Sequence, residues 1–109
     1  MAYNEYLAQR LRSLIAKRPD FHEQRMFGGL GFLMRGNMCF AIWKDELILR
    51  LGPQRAPEAL KQKHVKPFDI TGRAMKGWVM VKPPGFAAEA GLKAWVDQAI
   101  DFILHLPRK

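Results

Sequence analysis

The sequence predicts a two-layer α+β domain: an antiparallel sheet of four to five strands packed against helices from the two ends of the chain. Two observations lead there. At both ends apolar residues recur three to four apart, as they do along one face of a helix. Between the ends, short apolar runs are joined by two-residue connections, which antiparallel hairpins accept and parallel crossovers do not. One-sided helices and a one-sided sheet must bury each other. With 109 residues, 49% of them apolar, residues 1–109 make one domain with one core.

The first helix carries Tyr3, Leu7, Leu11, Leu14 and Ile15 on one stripe. Asn4 is placed to cap it, and Pro19 to end it after about four turns. From Arg25 onward the period changes. Leu30–Arg35, Met38–Trp43 and Glu46–Leu51 read as a three-stranded meander, turning at Gly36-Asn37 and Lys44-Asp45. In its third strand Leu47, Leu49 and Leu51 share one face, while Ile48 and Arg50 share the other, so the second face is mixed. A short helix is expected over about Pro57–Lys63, since proline is tolerated in a first turn. Pro67-Phe68-Asp69-Ile70 then runs extended, Thr71-Gly72-Arg73 turns, and Gly77–Val81 forms a further strand. The last helix aligns Leu92, Trp95, Val96, Ala99, Ile100, Ile103 and Leu106, and Pro107 stops it.

The net charge is +8, and it is unevenly placed. Arg50, Arg55, Lys61, Lys63, Lys66, Arg73, Lys76 and Lys82 face only Glu58 and Asp69 within residues 50–82. Such a block could meet the phosphates of a nucleic acid, or simply keep a small protein soluble. Trp78 and Phe68 lie within it, but strand-like aromatic residues more often serve the core than a base-stacking platform.

Chemistry is sparse. The single cysteine, Cys39, excludes an internal disulfide and a cysteine-rich zinc site. Set among apolar strand residues, it reads as an inert small hydrophobe. His22, His64 and His105 have no acidic or cysteine partner at metal-ligand spacing. Gly28, Gly29, Gly31 and Gly36 lead into strands rather than into a helix, so they fail as a phosphate loop. They point instead to a bulge, a sharp bend or a close helix–sheet approach. No catalytic, metal or cofactor residues are assigned, and the expectation is a protein that is not an enzyme. The polar, acidic start and the lack of a long apolar run lead us to expect a cytoplasmic protein without a membrane partner.

The run Arg25-Met26-Phe27-Gly28-Gly29-Leu30-Gly31-Phe32 resembles the N-terminal domain of the TfoX (Sxy) family of bacterial competence regulators. Trp43-Lys44-Asp45-Glu46-Leu47, Arg50-Leu51-Gly52-Pro53, Pro67-Phe68-Asp69, Thr71-Gly72-Arg73 and Met75-Lys76-Gly77-Trp78-Val79 follow in the family's order. The resemblance implies an antiparallel two-layer domain, with Arg25, Met26, Phe27, Gly28, Gly29, Gly31, Gly77 and Trp78 as structural motif positions. It also implies a regulatory association, because full-length members promote DNA-uptake genes alongside a cyclic-AMP-responsive activator. Those regulators carry a second, C-terminal domain, whereas this sequence reads as the first domain standing alone. The function expected is a non-enzymatic regulatory module acting on a protein partner or a second copy of itself. Nucleic-acid binding through residues 50–82 is the second reading, and a small-molecule carrier or enzyme the third.

Overall fold

In the computed structural model, which describes residues 3–26, 28–69, 72 and 75–107, helix α1 (Glu5–Leu14) starts where Asn4 caps it. The Asn4 side chain accepts from the Leu7 amide at 3.1 Å. The helix is shorter than the four turns expected. Ile15 leaves helical geometry four residues before Pro19, so the proline does not end it.

Six strands then build one antiparallel sheet: β1 (Phe21–Met26), β2 (Gly29–Met34), β3 (Asn37–Trp43), β4 (Glu46–Arg50), β5 (Val65–Pro67) and β6 (Trp78–Val81). Their order across the sheet is β1-β2-β3-β4-β6-β5, with every pairing antiparallel. The expected meander is β2 to β4. The strand not expected is β1, whose middle residues His22, Glu23, Gln24 and Arg25 are all exposed. An edge strand lacking an alternating apolar face leaves no period-2 signal. The extended segment near Pro67 pairs two residues earlier than expected, at Val65–Pro67.

Helix α2 (Gly52–Ala59) also differs from expectation. It begins five residues before Pro57, which lies inside it, and ends before Lys63. Pro53 already occupies the first turn, where no amide is needed, so Pro57 costs the helix one internal bond. Gly52 starts α2 with φ +92°. A Cβ there would run into the Phe102 ring, so both backbone and space demand glycine. The Leu51 and Gly52 amides both donate to the Gly77 carbonyl, at 2.9 and 3.0 Å. That one oxygen ties the entrance of α2 to the entrance of β6.

A 3₁₀ turn (Pro83–Phe86) leads into α3 (Glu89–Leu104). The predicted stripe holds from Leu92 through Trp95, Val96, Ala99 and Ile100 to Ile103, all buried, but the helix ends at Leu104, before Pro107, and Leu106 lies beyond it half-buried. They meet Leu7, Ala8 and Leu11 of α1 and the helix-side row of the sheet, including Leu30, Phe32, Phe40, Ile42, Leu47, Leu49, Val79 and Val81. The register slips between Phe32 and Leu33, because Phe32 faces Phe40 while Leu33 faces Met38. Cys39 is the extra residue of this bulge and turns into the core.

Charged groups brace the layers from outside. Arg10 donates to Glu89 at 3.2 Å and to the Phe86 carbonyl at 2.9 Å, joining α1 to the start of α3. Arg12 donates to both Glu23 oxygens, at 2.6 and 2.8 Å, and to Glu5 at 2.9 Å. Hydrogen bonding to Arg12 holds both carboxyls below their ordinary range. A carboxyl whose folded pKa is depressed stabilises the fold above its unfolded pKa, and this contribution disappears as pH falls through the folded value.

Two outcomes are expected. Gly52→Ala should lower unfolding stability by about 1–3 kcal/mol in urea titrations, from positive φ and overlap with Phe102. Arg12→Ala should cost about 0.5–1 kcal/mol at neutral pH. Thermal melts should show the wild-type advantage shrinking below about pH 4, as Glu5 and Glu23 protonate.

Candidate functional site

The helices cover only one face of the sheet. On the other face Ala41, Ile48, Phe68 and Met80 form a second buried apolar cluster, with Met38, Trp43 and Trp78 half-buried around it. Met80 is fully buried although no helix lies over it. It is sealed by side chains folding across the sheet. Phe68 leans on Trp78 with ring centroids 5.6 Å apart.

Between these side chains lies an apolar trough of about 250 Å³, lined by Met26, Gly29, Met38, Ala41, Trp43, Ile48, Phe68, Met75 and Trp78 among others. Its depth comes from missing side chains. A Cβ on Gly31 would meet the Met38 Cε at 2.7 Å, so the bare backbone of β2 lets Met38 lie flat on the sheet. Of the bulge, bend or helix–sheet approach expected of the glycines, Gly28 and Gly36 make bends with φ +74° and +81°, whereas Gly29 and Gly31 act on the face away from the helices. Methionine fills irregular gaps and adapts to varied partners. Met75, 41% exposed, is one of the few large apolar side chains left open to solvent.

Cations sit on the tryptophans. The Lys44 Nζ lies 4.6 Å from the Trp43 ring centroid, and the Arg50 guanidinium 5.5 Å from that of Trp78. Arg50 also reaches the Phe102 ring at 5.7 Å. Lys66 pairs with Glu46 at 3.0 Å on this same face.

The fold scatters the basic segment. Arg50 is stacked as described, Arg55 binds Asp101 at 2.8 Å and the Gln98 carbonyl at 3.0 Å, Lys61 pairs with Glu58, and Lys66 with Glu46. Lys63, Lys76 and Lys82 are exposed, and Lys76 and Lys82 stand at opposite ends of β6. Arg73 lies outside the described residues, as does Phe27 of the expected motif. The other motif positions divide in two. Met26, Gly29 and Trp78 line the trough and Gly31 floors it under Met38, whereas Gly28 turns with φ +74°, Gly77 carries the shared carbonyl, and Arg25 is exposed on β1.

Reactive groups do not converge. His22 on β1, His64 in the turn before β5 and His105 just past α3 are all exposed. Among the described residues no three or more His, Cys, Asp or Glu side chains gather as metal ligands. Nor, among the described residues, is any helix long and apolar enough to cross a membrane. Burial pushes the Cys39 thiol up to about 12, far from a nucleophile's range.

The trough residues were missed as a group in the sequence reading, although their signal was present. Met38 to Trp43 is apolar in both phases of the strand, the pattern of a strand buried on two faces.

A family model described as the TfoX N-terminal domain matches residues 13–103. No curated protein matches the chain.

In the folded protein, Cys39 should resist a thiol reagent at mildly alkaline pH by roughly a thousandfold relative to a free cysteine. Denaturant should release one reactive thiol per chain. Thiol titration with and without urea checks this.

Proposed function

The chain belongs to the TfoX N-terminal domain family, and from that premise we propose that it is a non-enzymatic regulatory module whose work is to dock a protein partner in the methionine- and tryptophan-lined trough. The observation that carries this reading is the apolar cluster on the helix-free face. Fully burying an exposed large apolar side chain returns about 1.5–3 kcal/mol, and covering the half-buried Met38, Trp43 and Trp78 returns part of that. Apolar side chains gathered on one face and left partly open to solvent, here Met75 with the half-buried Met38, Trp43 and Trp78, suit an interaction site. Aromatic and methionine side chains are the types enriched at the centres of interfaces.

The trough's wall chemistry also bears on what it accepts. Among the described residues its lining is apolar side chains and glycine, which offer a substrate no acid, base or nucleophile to react with. An apolar segment of a protein suits it better. The rim cations, Lys44 and Arg50, would favour acidic groups beside that segment.

Ala41 lies in the floor of the trough, so Ala41→Arg would fill it with a charged side chain whose head can still reach water. The expected result is a protein with an unchanged circular dichroism spectrum and a melting temperature within a few degrees of wild type. Affinity capture from the native cell should lose at least one protein that the wild-type domain retains. Identical captured proteins, or capture of nucleic acid alone by both, would overturn the reading.

A further inference from the structure

We propose that a second copy of this chain pairs antiparallel with the free edge of β1, the two-fold axis passing through Gln24. The edge touches the trough only at Met26, and the proposal does not depend on what the trough binds.

The two edges of the sheet are unequal. β5 offers three residues, and one of them, Pro67, has no amide to donate. β1 offers six residues without proline, in unbroken register with β2 from Phe21↔Met34 to Met26↔Gly29. Among the described residues no other segment pairs with its outer side. Four consecutive side chains, His22 to Arg25, are exposed there.

The pairing phase follows from the hairpin. Met26 and Gly29 close a two-residue connection, and such a closing pair exchanges both backbone hydrogen bonds. His22, Gln24 and Met26 therefore aim their backbone groups at β2, while Phe21, Glu23 and Arg25 aim theirs outward. A copy related by a two-fold axis must set outward residues against outward residues. An axis through Glu23 would oppose two carboxylates, and one through Arg25 two guanidiniums. An axis through Gln24 sets Glu23 against Arg25 twice over, once from each copy. Opposite charges directly across a strand pair stabilise it and like charges oppose it, so the edge is complementary to itself in that register.

Glu23 is held for the purpose. Arg12 grips both its oxygens, which fixes the side chain at the edge and keeps it anionic. A carboxylate has acceptor sites left for a second guanidinium. Arg25, exposed and one strand position beyond Gln24, supplies it from the other copy. The product is one continuous sheet with the helices of both copies on one side and both troughs on the other.

Sedimentation across a micromolar to millimolar dilution series should show wild type passing from a 12.6 kDa species to twice that mass. Arg25→Glu sets like charges together at both pairs and should weaken association about tenfold or more. The exchanged double variant Glu23→Arg with Arg25→Glu should recover most of it, provided melts show all variants folded. Gln24→Cys places two thiols opposite each other at the axis, about 4.5 Å apart at Cα, within disulfide range. It should cross-link faster than His22→Cys, which faces Met26 of the other copy; native Cys39 is buried and does not compete. A monomer at every concentration, a dimer indifferent to Arg25→Glu, or equal cross-linking by both cysteines would overturn the proposal. The first outcome would leave the edge to a strand from another protein.

Discussion

The governing constraint is a shortage of helix. Six strands present two faces, and the chain supplies α1, α2 and α3 for only one of them. The central strands are nevertheless apolar on both sides: Leu47 and Leu49 look toward the helices, Ile48 away from them. What would be a layer in a larger protein is replaced by side chains lying down. Met38, Trp43, Phe68 and Trp78 pack against Ala41, Ile48 and Met80, and among the described residues no helix lies over them. This roof is thin and adjustable, and its gap is the trough. The buried cluster on this face and the trough beside it thus arise from the same imbalance.

Electrostatics follow a related logic. A net charge of +8 would seem to invite a polyanion, but several cations of the basic segment are occupied within the chain. Arg55 anchors α2 to α3, and Lys66 answers Glu46 across strands. Arg50 spreads over two aromatic rings. A guanidinium stacked in this way stiffens the tryptophan beneath it and shields apolar area at the strand end. Such cations serve the shape of the surface as well as its potential.

The legible parts of the fold were those with strong periodicity. Asn4 as cap, the α3 stripe and the β2–β4 meander all follow from local pattern and turn chemistry. β1 was invisible because its middle is charged and its partner face is supplied only by pairing. α2 was misplaced because Pro57 looks like a helix start, when Pro53 had already taken that role. The bulge at Cys39 could not be read, since an extra residue shows only once two strands are aligned. For the site, Trp78 and Phe68 were assigned to a core, and they do bury a small one. That this core opens outward depends on which face the helices choose, a tertiary fact that no single strand encodes.

The Gly77 carbonyl that receives both the Leu51 and Gly52 amides makes residues 53–76 an excursion with its ends pinned together. Phe68 and Met75, one wall of the trough, both belong to it. The opposite wall, Met26, Met38 and Trp43, belongs to the hairpins. The stretch between β5 and β6, which carries Phe68 and Met75, can therefore change in length or sequence while the two strands stay paired, and remould one side of the cleft against a fixed other side. Such an arrangement lets the shape of one surface vary without renegotiating how the domain folds.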